Sequence, residues 1–194
     1  MQASPSSPAP WAPKSRTGIP RLSLDAPQLL GVAPQLGPLA GGNAVTLTGI
    51  GLSGATEVHF GTVCAGHLMA GSDTRVEVTA PAGSAGNAPV TVTTAGGTSD
   101  AVSYAYLPPP VVTTVSSPTG PRSGGALVTL TGTGLGRTVA VLCGAVPAAF
   151  AAVDDHRVAV VVPPGPAGPV SVIAVTPGGS SPAVTCTRAV PPHL

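Results

Sequence analysis

Charge is scarce: Asp, Glu, Lys and Arg make up 8% of the 194 residues, and the formal net charge is +1. Between residues 27 and 190 five arginines face six carboxylates, with no cluster of either sign. Nucleic-acid binding is thereby disfavoured, because displacing phosphate counterions takes clustered Lys and Arg. Aromatics are rarer still, 3% of the chain, and amount to Trp11, Phe60, Tyr104, Tyr106 and Phe150. Cysteine is limited to Cys64, Cys143 and Cys186, an odd number that cannot all pair. No stretch approaches the roughly 18 unbroken apolar residues of a membrane span, despite a mean hydropathy of +0.41. A soluble chain is therefore expected. The first 27 residues also lack the apolar core of a secretory signal, so none is read there.

Glycine and proline, by contrast, are abundant, with 26 and 24 copies. Unpatterned sequence of that kind tends to disorder, but here the pattern repeats. Gly41-Gly42, Ala44-Val45-Thr46-Leu47-Thr48-Gly49 and Gly51-Leu52 return as Gly124-Gly125, Leu127-Val128-Thr129-Leu130-Thr131-Gly132 and Gly134-Leu135, each 83 positions later. Past the middle of the unit the offset is 82, as in Pro81 and Pro163 or Gly96-Gly97 and Gly178-Gly179. One small deletion separates two copies. A repeat long enough to hold whole strand and turn patterns means two small domains in tandem rather than a solenoid. The domains expected are a disordered Pro/Ser-rich tail over 1–26, a first unit over 27–107 and a second over 108–190.

Both copies read as strands. In Ala44 to Thr48 the apolar Val45 and Leu47 alternate with Thr, one face for a core and one for water. Strands are expected in the first copy at 29–33, 44–48, 57–60, 63–69, 75–79, 89–94 and 102–106. The second copy repeats them at 111–116, 127–131, 139–143, 146–153, 157–162, 170–176 and 183–188. No helix is expected. Short strands at this spacing, broken by Gly and Pro turns, predict an all-β class of two immunoglobulin-like antiparallel sandwiches. Leu107-Pro108-Pro109-Pro110 joins them. Three prolines fix φ and make a short, stiff junction, so the two domains are expected to form an elongated rod.

Several motifs invite chemistry and do not support it. Gly49-Ile50-Gly51-Leu52-Ser53-Gly54 is a formal GxGxxG, and Asp73 follows Gly54 by 19 residues. A dinucleotide site needs a helix N-terminus at the pyrophosphate, whereas Glu57-Val58-His59-Phe60 reads as another strand. A turn is the expectation. His59, His67, His156 and His193 are scattered without metal-ligand spacing, and Asp154-Asp155 reads as turn capping rather than a calcium cage. No nucleophile sits beside a base. No catalytic, cofactor-binding or metal-binding residue is therefore assigned, and no cofactor is expected. Cys143 and Cys186 fall where the first copy has Phe60 and Tyr104, so both are expected to point inward, as buried free thiols or, alternatively, as a disulfide.

The turn glycines and core hydrophobes carry a family resemblance. Gly37-Pro38, Gly41-Gly42, the Val-Thr-Leu-Thr-Gly strand, Val58-x-Phe60-Gly61, Val76-x-Val78-x-x-Pro81 and Gly96-Gly97-x-Ser99 resemble the IPT/TIG domain. The second copy matches through Gly120-Pro121, Gly124-Gly125, Val141, Gly144, Pro163, Gly168 and Gly178-Gly179-x-Ser181. The resemblance implies an E-set type of immunoglobulin-like sandwich and a non-catalytic binding, adhesion or spacer protein. By resemblance to bacterial members it would act at a cell surface or in a secreted or virion assembly, whereas the missing signal leaves the cytoplasm as the other setting. The partner implied is a protein or glycan surface, with no nucleic acid and no membrane insertion. The alternative function is an accessory, carbohydrate-binding type of module of a carbohydrate-active enzyme whose catalytic domain lies elsewhere. Exposed aromatics would distinguish it.

Overall fold

The computed structural model describes residues 25–66, 68–69, 71–116 and 119–189. Most of the tail expected over 1–26, with its Trp11, lies outside the described residues. In the first repeat ten strands follow one another: β1 (Gln28–Ala33), β2 (Leu36–Pro38), β3 (Ala44–Ile50), β4 (Glu57–Phe60), β5 (Val63–Cys64), β6 (Leu68–Met69), β7 (Arg75–Thr79), β8 (Gly86–Thr94), β9 (Gly97–Thr98) and β10 (Val102–Leu107). They form two facing sheets, β1-β3-β7-β6 and β2-β10-β8-β4-β5, with β9 on β8. Alternation decides what faces in. Val45 and Leu47 of β3, Val76 and Val78 of β7, and Val90 and Val92 of β8 are at most 1% exposed, and their neighbours in sequence face water. At roughly 1.5–3 kcal/mol per fully buried side chain, such residues supply most of what offsets the chain entropy.

The second repeat runs β11 (Val111–Val115), β12 (Thr119–Pro121), β13 (Leu127–Thr133), β14 (Ala140–Cys143), β15 (Val146–Asp154), β16 (Arg157–Val161), β17 (Gly168–Thr176), β18 (Gly179–Ser180) and β19 (Val184–Ala189). Here the two layers are one continuous sheet, β11-β13-β16-β15-β14-β17-β19-β12 with β18 on β17. Strand β15 makes the difference. Its first residues pair with β14 and its remainder with β16, so it turns the corner between layers. In the first repeat the same stretch is broken: β5 pairs with β4 in one sheet and β6 with β7 in the other. The continuous strand expected over 63–69 is therefore two short ones. Phe60 pairs with Val63 as Cys143 pairs with Val146, at an offset of 83, while Leu68 pairs with Val78 as Phe150 pairs with Val160, at 82. The single deletion falls between those pairs, and losing one residue lets the strand run through.

An all-antiparallel arrangement needs one correction in each repeat, because β2 pairs with β10, and β12 with β19, in parallel. The first stretch of each repeat starts on one sheet and crosses to the other, arriving beside the last strand and running in the same direction. Too short to show a period of two, these segments gave no strand signal.

The two cores differ in chemistry. Phe60, Tyr104 and Tyr106 pack edge to face in the first, with centroids 5.1 Å apart for Phe60–Tyr104 and for Tyr104–Tyr106. The corresponding residues of the second are Cys143, Cys186 and Arg188, all buried.

Candidate functional site

The end loops after β3 and β13 are the places where glycine-rich sequence meets a carboxylate. Gly51 and Gly54 sit at φ +71° and +74°, a left-handed conformation that glycine adopts without a Cβ penalty. The chain then enters β4, so no helix follows the GxGxxG. Ser53 Oγ donates to Asp73 Oδ1 at 3.2 Å, and Leu52 N–H to the Asp73 carbonyl at 2.9 Å. In the second repeat Asp155 takes the same place. It accepts from Gly134 N–H at 3.4 Å and Gly136 N–H at 3.3 Å, while Leu135 N–H donates to its carbonyl at 2.9 Å. Both aspartates tie a turn to the loop before the next strand.

An open cleft of about 740 Å³ lies over this turn in the first repeat, lined among others by Asp25, Gln28, Ile50, Ser53, Asp73 and Thr94. The structure thus brings the GxGxxG and Asp73 together, with two carboxylates and, among the described residues, no Lys or Arg in the lining. Those two carboxylates oppose an anion such as a pyrophosphate.

The segment entering each repeat is seated against the same glycines. A Cβ on Gly178 would stand 2.2 Å from the Pro108 carbonyl oxygen, and one on Gly179 3.5 Å from Pro109 Cβ. Gly134 faces Pro110, which is itself buried. In the first repeat Gly97 faces Ala26 and Gly51 faces Pro27. The linker therefore lies on the second domain along a defined path.

Cys143 and Cys186 are buried and free, and Cys64 is exposed. A bridge between the buried pair is excluded by topology, since Cys143 pairs with Val172 and Cys186 with Val170 of the intervening β17. Two strand spacings, about 9.6 Å, exceed the roughly 7 Å limit between bridged Cα atoms. Burial pushes the Cys143 thiol up, opposed by the Arg188 guanidinium and reinforced by Cys186. Tyr104 is likewise raised by burial and lowered by its hydrogen bond with Asn43. Tyr106 is pushed up to about 12 by burial and by Tyr104. Its hydroxyl donates to the Pro81 carbonyl at 2.7 Å.

Among the described residues no group of three His, Cys, Asp or Glu could hold a metal. His59 lies half-buried on β4, His156 is exposed after β15, and His67 and His193 fall outside the described residues. Phe60, Tyr104 and Tyr106 are core residues, Phe150 is half-buried against the second core, and Trp11 lies outside the described residues. No helix of the described residues is long and apolar enough to cross a membrane.

Residues 27–106 and 110–187 each match the family model described as the IPT/TIG domain. No curated protein matches. Among solved structures, two of the plexin A4 extracellular region superpose with TM-scores of 0.60 and 0.57, at 19% and 18% identity. Each alignment covers 84% of this chain and only 16% and 18% of the plexin chain. Bacteroides ovatus SGBP-B of a mixed-linkage glucan utilization locus aligns at 18% identity over 86% of this chain and 47% of its own, with a TM-score of 0.39.

Proposed function

The chain belongs to the IPT/TIG domain family, and from that premise we propose that it is a non-catalytic binding and spacer unit of a cell-surface or secreted assembly. The observation that carries this reading is the seat of the linker. Pro110 is buried and the Pro108 carbonyl lies against Gly178, where a side chain would strike it. A passive tether needs no such fit, whereas a spacer that presents its end loops in a set direction does. The polar groups of the loops support the same reading, because Asp73 and Asp155 are engaged in holding turns. A stretch of the plexin A4 extracellular region superposes on 84% of this chain.

Replacing Pro108, Pro109 and Pro110 with Gly tests the spacer. Small-angle scattering should show a broader distribution of interdomain distances, with the first domain's melting little changed and the second's lowered by the loss of the buried Pro110. An unchanged distribution would sink the spacer reading. Antibody labelling of intact cells that produce the full-length protein tests the setting: label without permeabilisation is expected, and label only after permeabilisation refutes it.

A further inference from the structure

Arg188 stands where the first repeat has Tyr106, 82 positions earlier. Each donates to the carbonyl of the equivalent proline: Arg188 Nε to Pro163 at 3.1 Å, and the Tyr106 hydroxyl to Pro81 at 2.7 Å. That bond uses the phenol's one proton but only one of the guanidinium's five. Arg188 is 6% exposed and does not give up its charge. A cation so thinly hydrated gains from an anion at whatever edge it leaves open.

No described carboxylate supplies one. The ion pairs among the described residues are Arg75–Glu77 and Arg157–Asp154. The two carboxylates of the second repeat, Asp154 and Asp155, precede β16, while Pro163 and Gly165 follow it. Five residues of extended chain, about 16 Å, keep them apart.

Nη1 lies against the half-exposed Gly165, where a Cβ would come within 2.6 Å of it. Among the described residues Arg188 bonds through Nε alone, and no fully buried side-chain nitrogen or oxygen lacks a partner. The outer edge of the guanidinium therefore meets solvent. The backbone of a second arginine runs beside it. Gly165 N–H donates to the Arg122 carbonyl at 3.0 Å, Arg122 N–H donates to Ala189 at 3.3 Å, and the Arg122 side chain is exposed.

We propose that Arg188, with Arg122 beside it, forms a carboxylate-binding site at this end of the second domain. The planar edge of a guanidinium presents two nitrogens to the two oxygens of a carboxylate. A side chain at 165 would strike Nη1, so that position takes glycine. The first repeat, with neutral Tyr106 against Gly83, has no counterpart, so this site belongs to one domain only. It is also separate from the linker seat, and its failure would leave the spacer reading standing.

The test is an NMR titration of the full chain, following the Arg188 Nε–H resonance and the Gly165 amide. Sodium acetate and a glutamate-containing peptide are added in turn, with sodium chloride at matched ionic strength as control. Saturable shifts with acetate or peptide, but not with chloride, are expected. Arg188→Tyr installs the first repeat's residue and should fold without binding, and Arg188→Lys should bind at least tenfold more weakly. Arg122→Ala should weaken binding a few-fold. Shifts with acetate and peptide alike assign a free carboxylate as sufficient, and shifts with the peptide alone assign a protein side chain. The proposal is overturned if chloride shifts the signals as far, if Arg188→Tyr keeps the Gly165 response, or if no addition saturates.

Discussion

Replacing Gly132 with alanine should unfold the second domain well before the first. Gly132 lies in β13 opposite Val112 of β11, and a Cβ there would stand 1.8 Å from the Val111 carbonyl oxygen and 2.9 Å from Val112 Cα. Both atoms are backbone, so no side chain can swing away; β11 itself must retreat. Overpacking of this kind costs about 1–3 kcal/mol, and two strained ladder bonds add about 1 kcal/mol each. A total of about 3–5 kcal/mol, at roughly 4–8 °C per kcal/mol for a domain of this size, lowers its Tm by roughly 12–40 °C. Gly144→Ala is the control. Gly144 has φ +68° and its nearest neighbour would be 3.6 Å away, so only the left-handed conformation is penalised, by about 1 kcal/mol. The assay separates the domains because both tyrosines lie in the first. Near-UV tyrosine ellipticity follows that domain, and calorimetry follows both. The reasoning fails if Gly132→Ala melts no lower than Gly144→Ala, or if the tyrosine signal falls equally early.

Tyr106→Phe should cost the first domain about 1 kcal/mol, read by denaturant titration, since the bond to Pro81 is lost. The same tyrosine gives an alkaline signature. Its pKa is higher folded, about 12, than its ordinary 10.0, so the unfolded chain releases the proton first; stability is whole below pH 10.0 and falls as pH rises towards 12. Base-induced loss of near-UV ellipticity should therefore set in above about pH 10 and be weaker in Tyr106→Phe. A thiol reagent should label Cys64 at once and Cys143 and Cys186 only on unfolding, and mild oxidation should leave no Cys143–Cys186 bridge detectable by mass spectrometry.

Periodicity alone determined the all-β class, the tandem repeat and the inward-facing residues of β3, β4, β7 and their copies, because a strand with one buried face must alternate. The family resemblance, carried by turn glycines, pointed to the same fold. Composition likewise identified the glycine-rich GxGxxG as a turn, for nothing helical follows it. The short β2, β9, β12 and β18 were illegible, having two or three residues and no period. Tertiary structure alone decided that one deleted residue turns β5 and β6 into the single corner-turning β15, since pairing partners are set by distant strands. It also decided that β17 keeps Cys143 from Cys186, which residue spacing leaves open. Arg188 shows the boundary most clearly. Its alignment with Tyr106 is present in the sequence, but its burial, its bond to Pro163 and the absence of a described counter-charge arise only when β19 packs beside the loop after β16.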